Sequence, residues 1–135
     1  MIMIVATLPI TLGTAAALGA INLWLALRIV RMRLKDDVLI GDGGDDLLSG
    51  RMRAHANLVE YAPFVLVLLA LIELARGSGA ALGLTALIFV IGRIAHPMGM
   101  DLRRSNLPRA GGAILTWLVL AFLVGWAALI AVGVA

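Results

Sequence analysis

The feature that most constrains this chain is the run from Met1 to Leu27, with no charged side chain before Arg28. A spanning helix needs about 20 residues to cross ~30 Å of hydrocarbon at 1.5 Å per residue, so this run is long enough. Three more apolar stretches follow. One is centred on residues 61–72, too short alone, so its helix must extend from near Arg51 to near Arg76. Another runs from Gly77 through Gly92 to about Met100. The last runs from Ala110 to Ala135 and contains Trp117 and Trp126. The stretches are continuous rather than alternating, which argues against membrane strands. A secretory leader is the rival reading of the first run, but it would need a basic segment ahead of the apolar one.

Composition agrees. With 62% hydrophobic and 14% charged residues and a mean hydropathy of +1.05, the chain cannot cover itself with polar surface in water. The expected fold is therefore all-α and integral to the membrane. It is a single antiparallel four-helix domain over 1–135, with helices at about 4–33, 51–76, 79–100 and 108–134. Pro9, Pro63 and Pro97 fall within or near these helices, which neighbouring helices make tolerable in a membrane. Gly79 and Gly83 form a GxxxG that would allow close helix approach.

The net charge of +3 is not a nucleic-acid signature, because the basic residues flank apolar runs without interleaved aromatics. Of eleven Lys and Arg residues, six lie between Arg28 and Arg53, four between Arg93 and Arg109, and one at Arg76. That excess places the first and third linkers on the cytoplasmic side and both termini on the other. It also gathers the charged groups at one face. There is no Cys, hence no disulfide or thiolate site. His55 and His96 lack a third ligand for a metal. The Asp42-Gly43-Gly44-Asp45-Asp46 stretch departs from calcium-loop spacing and reads as an exposed turn.

The informative residues are polar ones inside the spans. Arg53, Asn57 and Glu60, spaced by four and three, share one helical face. Glu60 lies about 10 Å deeper than Arg53 at 1.5 Å per residue. An intramembrane carboxylate needs a partner or water and by default marks a functional site. An ion pair with a neighbouring arginine, serving only helix packing, is the alternative. Arg93 and His96 form a similar face on the third helix, and Arg28 and Arg31 on the first. Arg103, Arg104 and Arg109 follow in the third linker. Taken singly, each arginine reads as a snorkelling residue. Together they bring guanidinium from every helix to one depth, with one carboxylate and one amide. Such a pocket suits a small anion carrying several carboxylates.

The segment Arg53-Ala54-His55-Ala56-Asn57-Leu58-Val59-Glu60-Tyr61-Ala62-Pro63 resembles the signature of the MAPEG family, membrane-associated proteins in eicosanoid and glutathione metabolism. Gly92-Arg93-Ile94-Ala95-His96 resembles that family's third helix. The Gly41-Asp42-Gly43-Gly44 turn resembles the small bacterial inner-membrane members. The resemblance implies a homotrimer that binds glutathione between subunits near the cytoplasmic face. Arg31, Arg53, Asn57, Glu60, Arg93 and His96 would line that site, with His55 beside them. Arg109 would stand by the sulfur and favour its thiolate, which attacks a lipophilic electrophile arriving from the bilayer. The chain departs from the eicosanoid enzymes: Met100 stands four residues after His96, Ala110 follows Arg109, and Tyr61 is the only tyrosine. Two alternatives to a glutathione transferase or peroxidase stay open. One is a non-catalytic member that binds lipid or a partner protein. The other is a small proton-coupled multidrug transporter using Glu60.

Overall fold

The computed structural model describes residues 7–102 and 104–134. The expected first residues of helix one, 4–6, and Arg103 lie outside them. Four helices follow one another: α1 (Pro9–Lys35), α2 (Asp46–Arg76), α3 (Ala80–Met100) and α4 (Leu107–Ala131). All four are long and apolar enough to cross a membrane. α1 packs on α2 and α3, and α4 packs on α3 and α2, which also touch each other. The core between them is aliphatic apart from Phe89. Leu18 and Leu25 of α1, Val65 and Leu69 of α2, Leu82 and Phe89 of α3, and Leu123 of α4 are all buried.

Local chemistry sets the helix ends. Asp37 adopts φ 52°, and Val38 N donates back to Arg33 O at 2.9 Å, closing α1 two residues later than expected. α2 begins at Asp46 rather than near Arg51. The reason is a side-chain cap, in which Asp45 Oδ1 accepts from Leu47 N at 2.6 Å and Leu48 N at 3.1 Å. Asp46 then sits in the first turn, where the helix dipole favours a carboxylate. The expected exposed turn thus ends at Asp45, and its last acidic residue is already helical. Within the turn, the Gly44 N–H and the Ser49 hydroxyl hold the Asp42 carboxyl below its ordinary range. Asn106 caps α4 by accepting from Arg109 N at 3.0 Å. Gly133, at φ 75°, stops α4 at Ala131, three residues short of the expected end.

The closest helix approach is between α3 and α4, and it uses glycines other than the expected pair. Gly79 is the residue before α3, and a Cβ on Gly83 would find only an ordinary contact, 3.7 Å from Ile10. A Cβ on Gly112 would lie 2.7 Å from Gly92 O and 2.8 Å from His96 Cβ. The sequence in these two helices therefore permits backbone contact at the level of Arg93.

Charge is not confined to one face. Glu73, near the opposite end of α2, is 3% exposed. Its carboxylate accepts from Ile10 N (2.9 Å), Thr11 N (2.8 Å), Thr11 Oγ1 (2.7 Å) and Ser78 Oγ (2.6 Å). α1 has Pro9 in its first turn and no capping side chain of its own. Glu73 supplies the cap from a different helix, satisfying two of the N–H groups a helix start leaves open. At the Arg-rich end Asp101, just past α3, pairs with Arg28 of α1 and with Arg51 of α2, the latter at 3.3 Å. Arg28 also lies 4.8 Å from the centre of the Trp24 ring.

Two outcomes follow. Gly112→Ala forces backbone apart and should cost about 1–3 kcal/mol, the usual range for overpacking; it is measured as a fall in thermal midpoint in detergent. Glu73→Ala leaves the Ile10 and Thr11 donors open and should cost about 1–3 kcal/mol. Amide exchange should then quicken at the start of α1 while α3 and α4 stay protected; uniform exchange across the chain would contradict the cap.

Candidate functional site

Among the described residues, the titratable side chains buried at the Arg-rich end are Arg93 and His96 of α3. Arg93 is 2% exposed. Its Nη1 donates to Asn57 Oδ1 of α2 at 2.7 Å, and its Nη2 donates to Gly112 O of α4 at 3.0 Å. The guanidinium carbon lies 5.8 Å from the centre of the Phe89 ring. Nε, also buried, has no partner among the described residues. One cation thus ties three helices together, and it can do so because Gly112 brings its carbonyl within reach. The Thr116 hydroxyl donates to the same carbonyl at 2.8 Å, filling its second lone pair.

His96 sits one turn further along the same face of α3. Its Nδ1 is 2.9 Å from Arg109 O. A carbonyl only accepts, so Nδ1 carries the proton in this contact. His55 lies elsewhere, on the α1 side of α2, with Nε2 2.9 Å from Asn22 Oδ1. The two histidines therefore serve different helix contacts.

The remaining candidates are not gathered within the chain. Arg31, Arg53, Glu60 and Arg109 are all exposed, and none of their side chains has a hydrogen-bond or ion-pair partner among the described residues. The packing ion pair that was the alternative for Glu60 is not formed there. Of the Arg53-Asn57-Glu60 face, Asn57 turns in to Arg93 while Arg53 and Glu60, seven residues apart, point outward. Arg109 contributes its backbone to the His96 contact and leaves its side chain outside.

Beside Glu60 the outer surface forms an open cavity of about 630 Å³ between α2 and α4. Tyr61, Phe64, Val67, Leu120 and Val124 line it, and Glu60 is the one charged group on its wall. Trp117 Nε1 donates to Tyr61 Oη at 3.1 Å, joining α2 to α4 at the polar end of this groove.

Sequence reasoning missed three residues here. Asp101 is a lone carboxylate in an arginine-rich linker, and that imbalance was a usable signal. Gly112 and Asn22 carried none, since nothing in their neighbourhoods distinguishes them from other membrane-helix residues.

The profile of the MAPEG family matches residues 11–129, from the first turn of α1 to the last turns of α4. Inner membrane protein YecN of Escherichia coli strain K12 is 31% identical over 96 residues, covering 71% of this chain and 72% of the relative. YecN of strain O6:H1 CFT073 matches with the same identity and coverage. With four spanning helices, the Arg53, Asn57, Glu60 and Pro63 spacing on α2 and a profile match over nearly its whole length, the chain belongs to the MAPEG family.

Proposed function

We propose that this protein is a membrane-bound, glutathione-dependent transferase or peroxidase acting on lipophilic electrophiles. It works as a homotrimer in the bacterial inner membrane, with the thiol site toward the cytoplasm and both termini on the other side. Family membership supports the link to glutathione, and the name of the YecN relatives supports the membrane. The observation that carries the reading is the pair Arg53 and Glu60, both exposed on α2 with side chains unpartnered among the described residues, Glu60 on the wall of an apolar groove. A charge near the centre of a spanning helix costs about 2.5–3.5 kcal/mol on insertion scales. Glu60, about 10 Å deeper than Arg53, bears part of that cost on the outside of a single copy and calls for a counter-charge from outside it.

Glutathione offers the complement: two carboxylates, one ammonium and one thiol. Glu60 takes the ammonium, while Arg53 and Arg31 of adjoining copies take carboxylates in bidentate fashion. Arg93 and Asn57 hold α2 and α3 at the spacing this requires, with His96 and His55 at the margins. Arg109, in the first turn of α4, stands by the sulfur. Its charge and the helix N-terminus both favour thiolate. The thiolate lone pair forms a C–S bond to an electrophilic carbon lodged in the groove, and the leaving group departs with the electrons of its own bond. The acceptor partitions from lipid, and the thiol arrives from water.

A second reading, a non-catalytic member that binds a lipid or a partner protein, has its own support. Arg109 engages His96 through its backbone alone, Met100 takes the place of a tyrosine on α3, and the Tyr61 hydroxyl is occupied by Trp117. Proton-coupled transport is less well supported, because Glu60 faces an outer groove rather than a space enclosed by the bundle.

Titration of glutathione into protein in lipid nanodiscs, followed by calorimetry and by thiolate absorbance, separates these readings. Wild type should bind, and Arg53→Ala and Glu60→Gln should each weaken binding tenfold or more, about 1.4 kcal/mol. Arg109→Ala should still bind but lose both the thiolate band and conjugation of chlorodinitrobenzene. Binding without thiolate formation or turnover in the wild type would favour the second reading, and no binding at all would refute the glutathione site.

A further inference from the structure

α1 is longer than its hydrocarbon crossing requires. From Pro9 to Arg28 it rises about 28 Å at 1.5 Å per residue, close to the ~30 Å of the apolar slab. Residues 29–35 stand beyond that. On this extension one outward row stays apolar: Val30 and Leu34 continue the row of Leu23 and Leu27 at helical spacing, and Leu34 is 79% exposed. At Lys35 the chain folds back. The left-handed Asp37 and the bond from Val38 N to Arg33 O reverse its direction. Arg33 Nη2 then donates to Gly41 O at 3.0 Å and lies 3.6 Å from Met52 Sδ. The loop is therefore pinned against the last turns of α1 and the first turns of α2, and does not extend away from the membrane.

Its tip is Leu39 and Ile40, at 87% and 91% the two most exposed large apolar side chains among the described residues. Val38 is turned the other way, over Gly43, where a Cβ would come within 2.8 Å of its Cγ2. The tip thus stays outside while the loop closes on itself beneath it.

We propose that Leu34, Leu39 and Ile40 form an interfacial anchor that inserts among the headgroups and upper acyl chains of the bilayer the helices span. Continuity identifies the occupant: Leu34 prolongs the lipid-facing row of α1, and beyond the charged turn at residues 35–37 the loop folds back to the level of Arg33, about 7.5 Å past Arg28 and so within the headgroup layer. The charges beside it, Lys35 against Asp36 and Asp37, leave no cationic excess next to the tip. Apolar contact, rather than attraction to anionic lipid, therefore carries the insertion. The anchor holds the first loop flat at the membrane surface, independently of what the helical site binds.

The chain has no cysteine, so one introduced thiol is a unique label site. The full-length protein carrying Ile40→Cys is labelled with a nitrobenzoxadiazole dye and reconstituted in phosphatidylcholine vesicles containing nitroxide-labelled lipid. Leu27→Cys is the lipid reference and Asp46→Cys the water reference, with helicity checked by circular dichroism. Dye at position 40 should be quenched by nitroxide lipid nearly as well as at 27. Its iodide quenching should fall well below that at 46 and should not change when anionic lipid is added. Iodide quenching equal to that at 46 would place the tip in water and overturn the anchor. So would protection from both quenchers, which means cover by a second copy, and so would lipid quenching that appears only with anionic lipid.

Discussion

A guanidinium buried where three spanning helices meet governs this structure. Arg93 cannot shed its charge, so its position inside the bundle must be matched by acceptors, and among the described residues two are in place: the Asn57 amide oxygen and the Gly112 carbonyl. Both depend on geometry set elsewhere. Asn57 is delivered by its register on α2, and the carbonyl is delivered because glycine at 112 lets α4 lie against Gly92 and His96. Removing one partner from a buried charge is far costlier than the net worth of the pair. The packing of α2, α3 and α4 is thereby fixed at the level where the candidate ligand groups stand.

Because Arg93 consumes Asn57 internally, the signature on α2 is divided. One member holds the bundle together, and the other two, Arg53 and Glu60, are left on its outer face. A sequence motif read as one site proves to be a junction between an inner structural contact and an outer surface. That division leaves the Arg53 and Glu60 side chains without partners among the described residues. The groove beside Glu60 opens away from the core and is otherwise lined by uncharged, mostly apolar side chains.

The four spans were legible from the length and continuity of the apolar runs, and α3 was placed to within a residue because glycines and an arginine-rich linker bound it. Ends set by side-chain chemistry were less visible. α2 starts early because Asp45 caps it, a signal that is present in the sequence but was absorbed into a glycine-rich turn. α4 stops at Gly133 for a conformational reason that hydropathy does not register. The candidate residues were found by type and spacing, but which of them turn inward depends on crossing geometry, and that is set by Gly92 and Gly112 rather than by the more conspicuous Gly79 and Gly83. Glu73 escaped notice for a different reason. Close to the end of an apolar run it reads as a boundary residue, and nothing local reveals that the start of another helix sits on it.

That cap links two segments far apart in the chain. The opening turn of α1 has no acceptor of its own for Ile10 and Thr11 and meets one only when the far end of α2 is alongside. During synthesis the first span emerges long before residue 73 is made, so its leading turn must remain frayed or hydrated until the second span has crossed. The two therefore mature as a hairpin, and the first helix is finished last at the end that was made first.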